Sequence, residues 1–380
     1  MKNISTGTGI ALTPTGLIAA FLATAGAVAG ERSVHADGFV RCWGYNFYGQ
    51  CNPPADLGPC ISVAAGSSHS IALRSDGGVW CWGNNTIGQC NTPADLGPCL
   101  SVAGGAGHTI ALRSDGGVQC WGSNNYGQCN TPADLGPCLS VAGGWSHTIA
   151  LRSNGGVRCW GRNNYGQCDT PADLGACASV AGGGLHTIAV RSDGGVRCWG
   201  AGLTNTNFPN FGQSIVPTDL GTCSSVAAGG YHTIALRSDG GVRCWGYNNY
   251  GVCDTPADLG PCISVAAGVY HTIALRSDGG VRCWGANSYG QCDTPADLGA
   301  CSSVAGGWDH TIAMEPPCPQ CPSSLTGNCI VNGADLGLLL NAWGSCPAGT
   351  TGCTGDINAD GQVNGADLGD LLNGWGPCPN

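Results

Sequence analysis

Asp356, Asn358 and Asp360 stand at alternate positions, followed by Gly361, Gln362, Asn364 and Asp367. Oxygen ligands at alternate positions are what a hard cation requires, and the spacing is that of a calcium loop. Side chains fill positions one, three, five, nine and twelve, and the Gln362 carbonyl fills seven. Gly361 at six permits the sharp turn. One calcium ion is the expectation. An offset copy precedes it by 32 residues: SLTGNCIVNGADLGLLLNAWG stands before DINADGQVNGADLGDLLNGWG. In the first copy Ser324, Thr326 and Asn328 replace the acidic ligands and Cys329 replaces the glycine. Keeping Asn332 and Asp335 alone, it reads as a weak or empty loop. Each loop leads directly into a GADLG helix.

Seven histidines invite a second metal reading: His69, His108, His147, His186, His232, His271 and His310. A metal needs three or four ligands converging within about 2 Å of one ion. Seven equivalent places around a ring cannot converge in that way. The expectation is structural, an imidazole tying a strand turn to backbone. There is no nucleophile elbow, no HExxH and no phosphate-cradling glycine loop.

The 26 cysteines are the third reactive set. Such usage argues for an oxidising compartment. Six units carry three cysteines, such as Cys42, Cys51 and Cys60, whereas the fifth has Ser214 at the middle place between Cys198 and Cys223. An obligatory middle partner would strand a thiol there. Pairing of the Cys42–Cys60 type follows, with Cys51–Cys60, a shorter loop, as the alternative. Further along, Cys321 with Cys346 and Cys353 with Cys378 are each 25 apart and flank the two loop-helix copies, which makes them the expected pairs.

These residues ride on a repeat. The tryptophan of CWG falls at Trp43, Trp82, Trp121, Trp160, Trp199, Trp245 and Trp284, a step of 39 residues with one of 46. Such a period with a Trp-Gly pair points to propeller blades. Each unit holds a small-residue strand (SVAAG), an apolar strand (HTIALR), an Asp-Gly turn and a third strand (VRCWG). The Asp-Gly turn is a strong hairpin signal. The expected fold is all-β: a seven-bladed β-propeller over residues 30–315. The first VRCWG-type strand, Val40–Gly44, precedes every SVAAG strand, so it must complete the last blade beside His310–Met314. The repeated Trp, the YGQ aromatics Tyr48, Tyr126, Tyr165, Tyr250 and Tyr289, and the Arg of ALRSDGG are read as packing and local pairing.

The pattern AGxxHTIALRSDGGVRCWGxNxYGQ resembles the regulator-of-chromosome-condensation repeat, including the short bacterial form of the propeller-type β-lactamase inhibitory protein. The resemblance implies a propeller that serves as a binding scaffold. In the inhibitory propeller the turn before the histidine contacts the partner. Residues 321–380 resemble a type I dockerin, a small α-helical module with EF-hand-like calcium loops. That resemblance implies calcium and a cohesin-like or cell-surface partner. Residues 316–320 form a Pro/Cys hinge between the two.

A special site must show as a break in the repeat. The pair before each histidine varies while its flanks do not, and the variants include Trp145, Tyr231, Tyr270 and Trp308. These are the candidate partner-binding residues. The other break is the insertion AGLTNTNFPNFGQS, Ala201–Ser214, which carries Phe208, Pro209 and Phe211. Because it follows a different strand, it is expected on the opposite face.

The chain has 380 residues, 66 of them glycine, with 14 cations and a net charge of −10. No phosphate-neutralising patch can be built from so few cations, which excludes a basic nucleic-acid binder. Residues 1–29 read as a signal peptide with Ala27-Val28-Ala29 at its end. No other segment is suited to span a membrane. The functional expectation is a secreted or cell-surface binding scaffold for a protein or glycan. The alternatives are a polysaccharide-degrading enzyme component and a structural envelope protein. The near-identity of the repeats disfavours the enzyme, because an axial active site usually needs paired carboxylates projected from different blades.

Overall fold

Each repeat folds as one three-stranded antiparallel sheet because its three apolar segments are joined by two tight turns. In the first complete unit these are Cys60–Ala65, His69–Arg74 and Val79–Gly83. The structure, a computed structural model, describes residues 39–316, 330–331, 333–345, 355–358 and 361–377. Residues 1–29, Cys321, Cys346, Cys353, Cys378 and Asp360 lie outside that set, as do most of the first calcium-loop copy and of the Pro/Cys hinge.

Seven such sheets are present among the described residues. Six are continuous in sequence. The seventh takes Phe39–Gly44 beside His310–Glu315, which in turn pairs with Ser303–Gly306. Register follows the expectation, with Val40 opposite Met314 and Gly44 opposite His310.

The Asp-Gly turn forms as its chemistry demands. Gly77 has φ +84°, a region costly for residues with a Cβ. Asp76 Oδ1 accepts the Gly78 N–H at 2.8 Å, and Arg74 pairs with Asp76 at 3.0 Å.

Apolar layers lie between sheets. One joins Ile71 and Leu73 of one sheet to Leu96, Cys99, Val102 and Trp121 of the next unit. The middle strand is buried along almost its whole length, as a strand covered on both faces must be. Inner strands are Ala- and Gly-rich because backbones meet there. A Cβ on Gly143 would stand 2.5 Å from Gly104 O.

The histidines bind differently from the expectation. Each Nε2 meets a hydroxyl of the next sheet rather than backbone: His69 to Thr109 at 3.1 Å, His108 to Thr148 at 3.0 Å, and so on to His310 and Ser70 at 3.3 Å. The Thr109 hydroxyl donates to Gln89 O at 2.7 Å, so it must accept from the imidazole. That fixes the proton on Nε2 and leaves Nδ1 bare. None of the seven Nδ1 atoms has a partner.

Beyond Glu315 two short helices, α1 (Gly333–Asn341) and α2 (Gly365–Asn373), share a small core of Leu339, Val363 and Leu371.

Candidate interaction face

The first and third strands of a sheet run the same way. The turn before the histidine and the loop after CWG therefore emerge at one end, and the Asp-Gly turn emerges at the other. The insertion thus shares its end with the variable pairs, contrary to expectation. Phe208 and Phe211 stand 5.7 and 5.6 Å from Tyr231.

All four candidate residues come together there. Trp145 meets Tyr231 edge-on at 5.2 Å and stacks on Trp308 at 6.2 Å; Tyr231 lies 6.3 Å from Tyr270. Tyr247 and Tyr250 join through Tyr270 at 5.8 and 5.3 Å. The four differ in role. Tyr231 is buried in a cluster with Leu185 and Ala201, whereas Trp308 is 43% exposed. Burial first, and then the neighbouring Tyr270, push the Tyr231 phenol up to about 12. Trp145 lies over two glycines, Gly184 and Gly230. A Cβ on Gly184 would stand 2.9 Å from its Cε2, and one on Gly230 would stand 3.3 Å from its Cζ2. Trp145 and Trp308 also border an axial cavity of about 140 Å³, lined mainly by glycine backbone.

Sequence reasoning missed the YGQ tyrosines. Tyr48, Tyr126, Tyr165, Tyr250 and Tyr289 are 37–54% exposed, so they are surface rather than core residues. The neighbouring glutamine does that work: Gln50 is buried, and its carbonyl accepts Ser70 Oγ at 2.7 Å and Trp82 Nε1 at 2.9 Å. Arg162 lies over Tyr126 and Tyr165 at 5.3 and 5.7 Å. Asp309 is half-buried, which raises its carboxyl above the ordinary range, and it accepts from Gln291 at 3.3 Å.

Charge collects at the opposite end. Ion pairs among the described residues join Arg side chains to the Asp-Gly turns, such as Arg113–Asp115, or to the P-A-D-L-G loops, such as Arg41–Asp297. Arg41 also faces Glu315 at 3.8 Å.

The disulfides correct both expected pairings. Cys42 bonds Cys51 rather than Cys60, with Cα atoms 4.8 Å apart, and four further units repeat the bond: Cys81–Cys90, Cys159–Cys168, Cys244–Cys253 and Cys283–Cys292. Cys60 cannot substitute, because it sits in the inner strand of the next sheet and its Sγ points at Gly58 O, 3.4 Å away. Ser214 does strand a thiol, Cys198, and its burial raises its pKa. Cys120 and Cys129 also remain thiols, and burial pushes Cys120 up to about 12.

Of the calcium candidates, Asp356, Asn358, Gln362, Asn364 and Asp367 are described. Asp367 is fully buried and closes the loop on itself. Its Oδ1 accepts Ile357 N at 2.7 Å and Asn358 N at 3.2 Å, and its Oδ2 accepts Asn364 N at 2.8 Å. Asp356 Oδ2 turns inward to Gly361 N at 3.0 Å. Asn364 caps α2 through Ala366 N at 2.8 Å. Gln362 pairs with Ser345 in a two-residue ladder.

Six segments match the family described as Regulator of chromosome condensation (RCC1) repeat: 60–89, 100–128, 139–167, 177–207, 223–252 and 262–291. The chain carries RCC1 repeats. Solved structures of the same fold include Prp20p from Saccharomyces cerevisiae, at 18% identity and TM-score 0.64 over 78% of this chain and 94% of that one. Human WBSCR16 matches at 21% identity and TM-score 0.61, over 74% and 99%. The ectodomain of the Physcomitrella patens receptor kinase CR4 matches at 22% identity and TM-score 0.54, over 67% and 71%. No curated protein sequence matches the chain. The RCC1 repeats thus form propeller blades of three antiparallel strands.

Proposed function

We propose that this chain is an exported binding scaffold: a closed, seven-bladed RCC1-type propeller that captures a protein on its aromatic end. One observation carries the reading. Trp145, Tyr231, Tyr270 and Trp308, drawn from the variable turns of four units, form a single connected cluster at the end away from the ion pairs. Rigid Trp and Tyr anchors amid Ser, Gly and Asn are the composition of protein-binding loops. Prp20p, a structure of the same fold, is described as binding Gsp1p and histones. Five disulfides suit an oxidising, extracellular setting.

The tail is the anchor in this reading. Asp356, Asn358, Asp360, the Gln362 carbonyl, Asn364 and Asp367 would hold one calcium ion, whose role is to fix the loop ahead of α2. The inward-turned carboxylates of Asp356 and Asp367 support this set. A cohesin-like or cell-surface protein is the partner class for the tail.

The test is capture of partner proteins from culture by the oxidised full chain, comparing native protein with Trp308→Ala. Capture lost in the variant at an unchanged melting temperature supports the reading. Unchanged capture removes Trp308, and with it this cluster, from the binding surface.

A further inference from the structure

Around the central cluster runs a rim that the protein-binding reading does not use. The residue before each YGQ-type tyrosine is also at the surface, and in three units it is asparagine: Asn125-Tyr126, Asn164-Tyr165 and Asn249-Tyr250. These tyrosines are 49, 37 and 54% exposed, too open for core residues. The asparagine just upstream is committed to the fold, as where Asn124 Oδ1 takes Cys129 N at 2.9 Å and Asn163 takes Cys168 N at 2.8 Å. Asn125, Asn164 and Asn249 have no such duty, and each leaves a surface amide next in sequence to a partly exposed ring.

Charge at this end is sparse and mostly negative. Arg162 is its one cation among the described residues, and it is laid across Tyr126 and Tyr165. Its carboxylates are Asp309 and the outer Asp169, Asp254 and Asp293, which bind Asn163, Asn248 and Asn287 at 2.7–2.9 Å. Four carboxylates against one guanidinium would repel an anionic polymer.

We propose that the rim binds a neutral saccharide chain, each Asn-Tyr doublet taking one sugar unit. The C–H face of a pyranose is apolar and lies flat on an aromatic ring. The amide, with two donors and an acceptor, matches adjacent hydroxyls. A single doublet binds weakly, and several on one rigid disc add through effective concentration. The repetition favours this occupant over a protein: the same doublet in three units matches a ligand that itself repeats. The proposal shares with the protein-binding reading the choice of end and one contact, that of Tyr250 with Tyr270.

Native affinity electrophoresis of the oxidised full chain tests it, with hydroxyethyl cellulose, galactomannan, dextran and, as the charged probe, dextran sulfate in the gel. At least one neutral polymer should retard the protein. The triple variant Tyr126→Ala/Tyr165→Ala/Tyr250→Ala should need at least tenfold more polymer, and Asn125→Ala/Asn164→Ala/Asn249→Ala, which leaves every ring in place, should weaken binding in the same direction. Trp308→Ala should be retarded like the native chain even where its protein capture is lost. Retardation by dextran sulfate alone, by no polymer, or undiminished in both triple variants overturns the proposal. So does loss of protein capture in the tyrosine variant without any neutral-polymer binding, which would make the rim part of the protein interface.

Discussion

His310 Nε2 meets Ser70 Oγ at 3.3 Å, bridging residues 240 positions apart. The six equivalent contacts end on threonine at 2.9–3.1 Å, so the seam that joins the last sheet to the first carries the longest and least filled of them. Ser70→Thr adds the methyl its six counterparts already bury. It should stabilise the chain by roughly 0.8 kcal/mol, the worth of one buried methyl group. A denaturant midpoint that does not rise would show that the seam has no room for it.

Acid should destabilise the sheets cooperatively. Burial lowers His69, His147, His186, His232, His271 and His310 to about 3, and His108 to about 4. Unfolded imidazoles titrate near 6.5, so the unfolded chain binds more protons below that pH. The stability these histidines contribute is complete above about pH 6.5 and is lost as pH falls toward about 3. Urea midpoints between pH 7.5 and 4.5 should therefore fall with a slope reflecting several protons. A flat profile would require a proton acceptor near the Nδ1 atoms.

The buried Cys198 thiol lacks its partner because position 214 is serine. Ser214→Cys should close a further bond and stabilise by about 2–4 kcal/mol. Non-reducing peptide maps of that variant should then show a cross-link between positions 198 and 214 alongside the native Cys42–Cys51 pair.

The aromatic cluster should divide into support and contact. Tyr231→Ala removes a buried ring and should cost about 3 kcal/mol of stability or more. Trp308→Ala should leave melting nearly unchanged. Equal losses in both would place Trp308 in the core as well.

In the tail, Asp356→Ala or Asp360→Ala should abolish calcium-dependent stabilisation, while Thr326→Ala should do little. Asp367→Ala should differ by lowering stability even in chelator, because its carboxylate holds three backbone N–H groups. Thermal melts with calcium and with chelator separate the two effects.

The fold was legible because a 39-residue step repeats every strand and turn, and register follows from alternation. The Trp145–Trp308 cluster was legible because variation within an otherwise fixed repeat needs no geometry to notice. Three things needed geometry. Tyr126 recurs in five units and Trp121 in seven, and repetition alone does not tell a buried ring from an open one. The insertion shares the end of the variable pairs because the third strand runs in the same direction as the first, which its own residues do not announce. Cys42 and Cys60 are close in sequence yet belong to different sheets, whereas Cys51 folds back on Cys42 within one loop.

Phe39 lies opposite Glu315 at the charged end, so the tail is attached to the far pole from the aromatic cluster. Tension applied through the tail enters at Glu315, along the axis of the strand His310–Glu315. That strand is flanked on both sides, by Phe39–Gly44 and Ser303–Gly306. Its rungs are loaded together in shear rather than unzipped one at a time. A molecule held by its tail in flowing liquid would thus resist detachment of this blade, and Arg41, gripping Glu315 and Asp297 at the point of entry, would be the first contact to feel the pull.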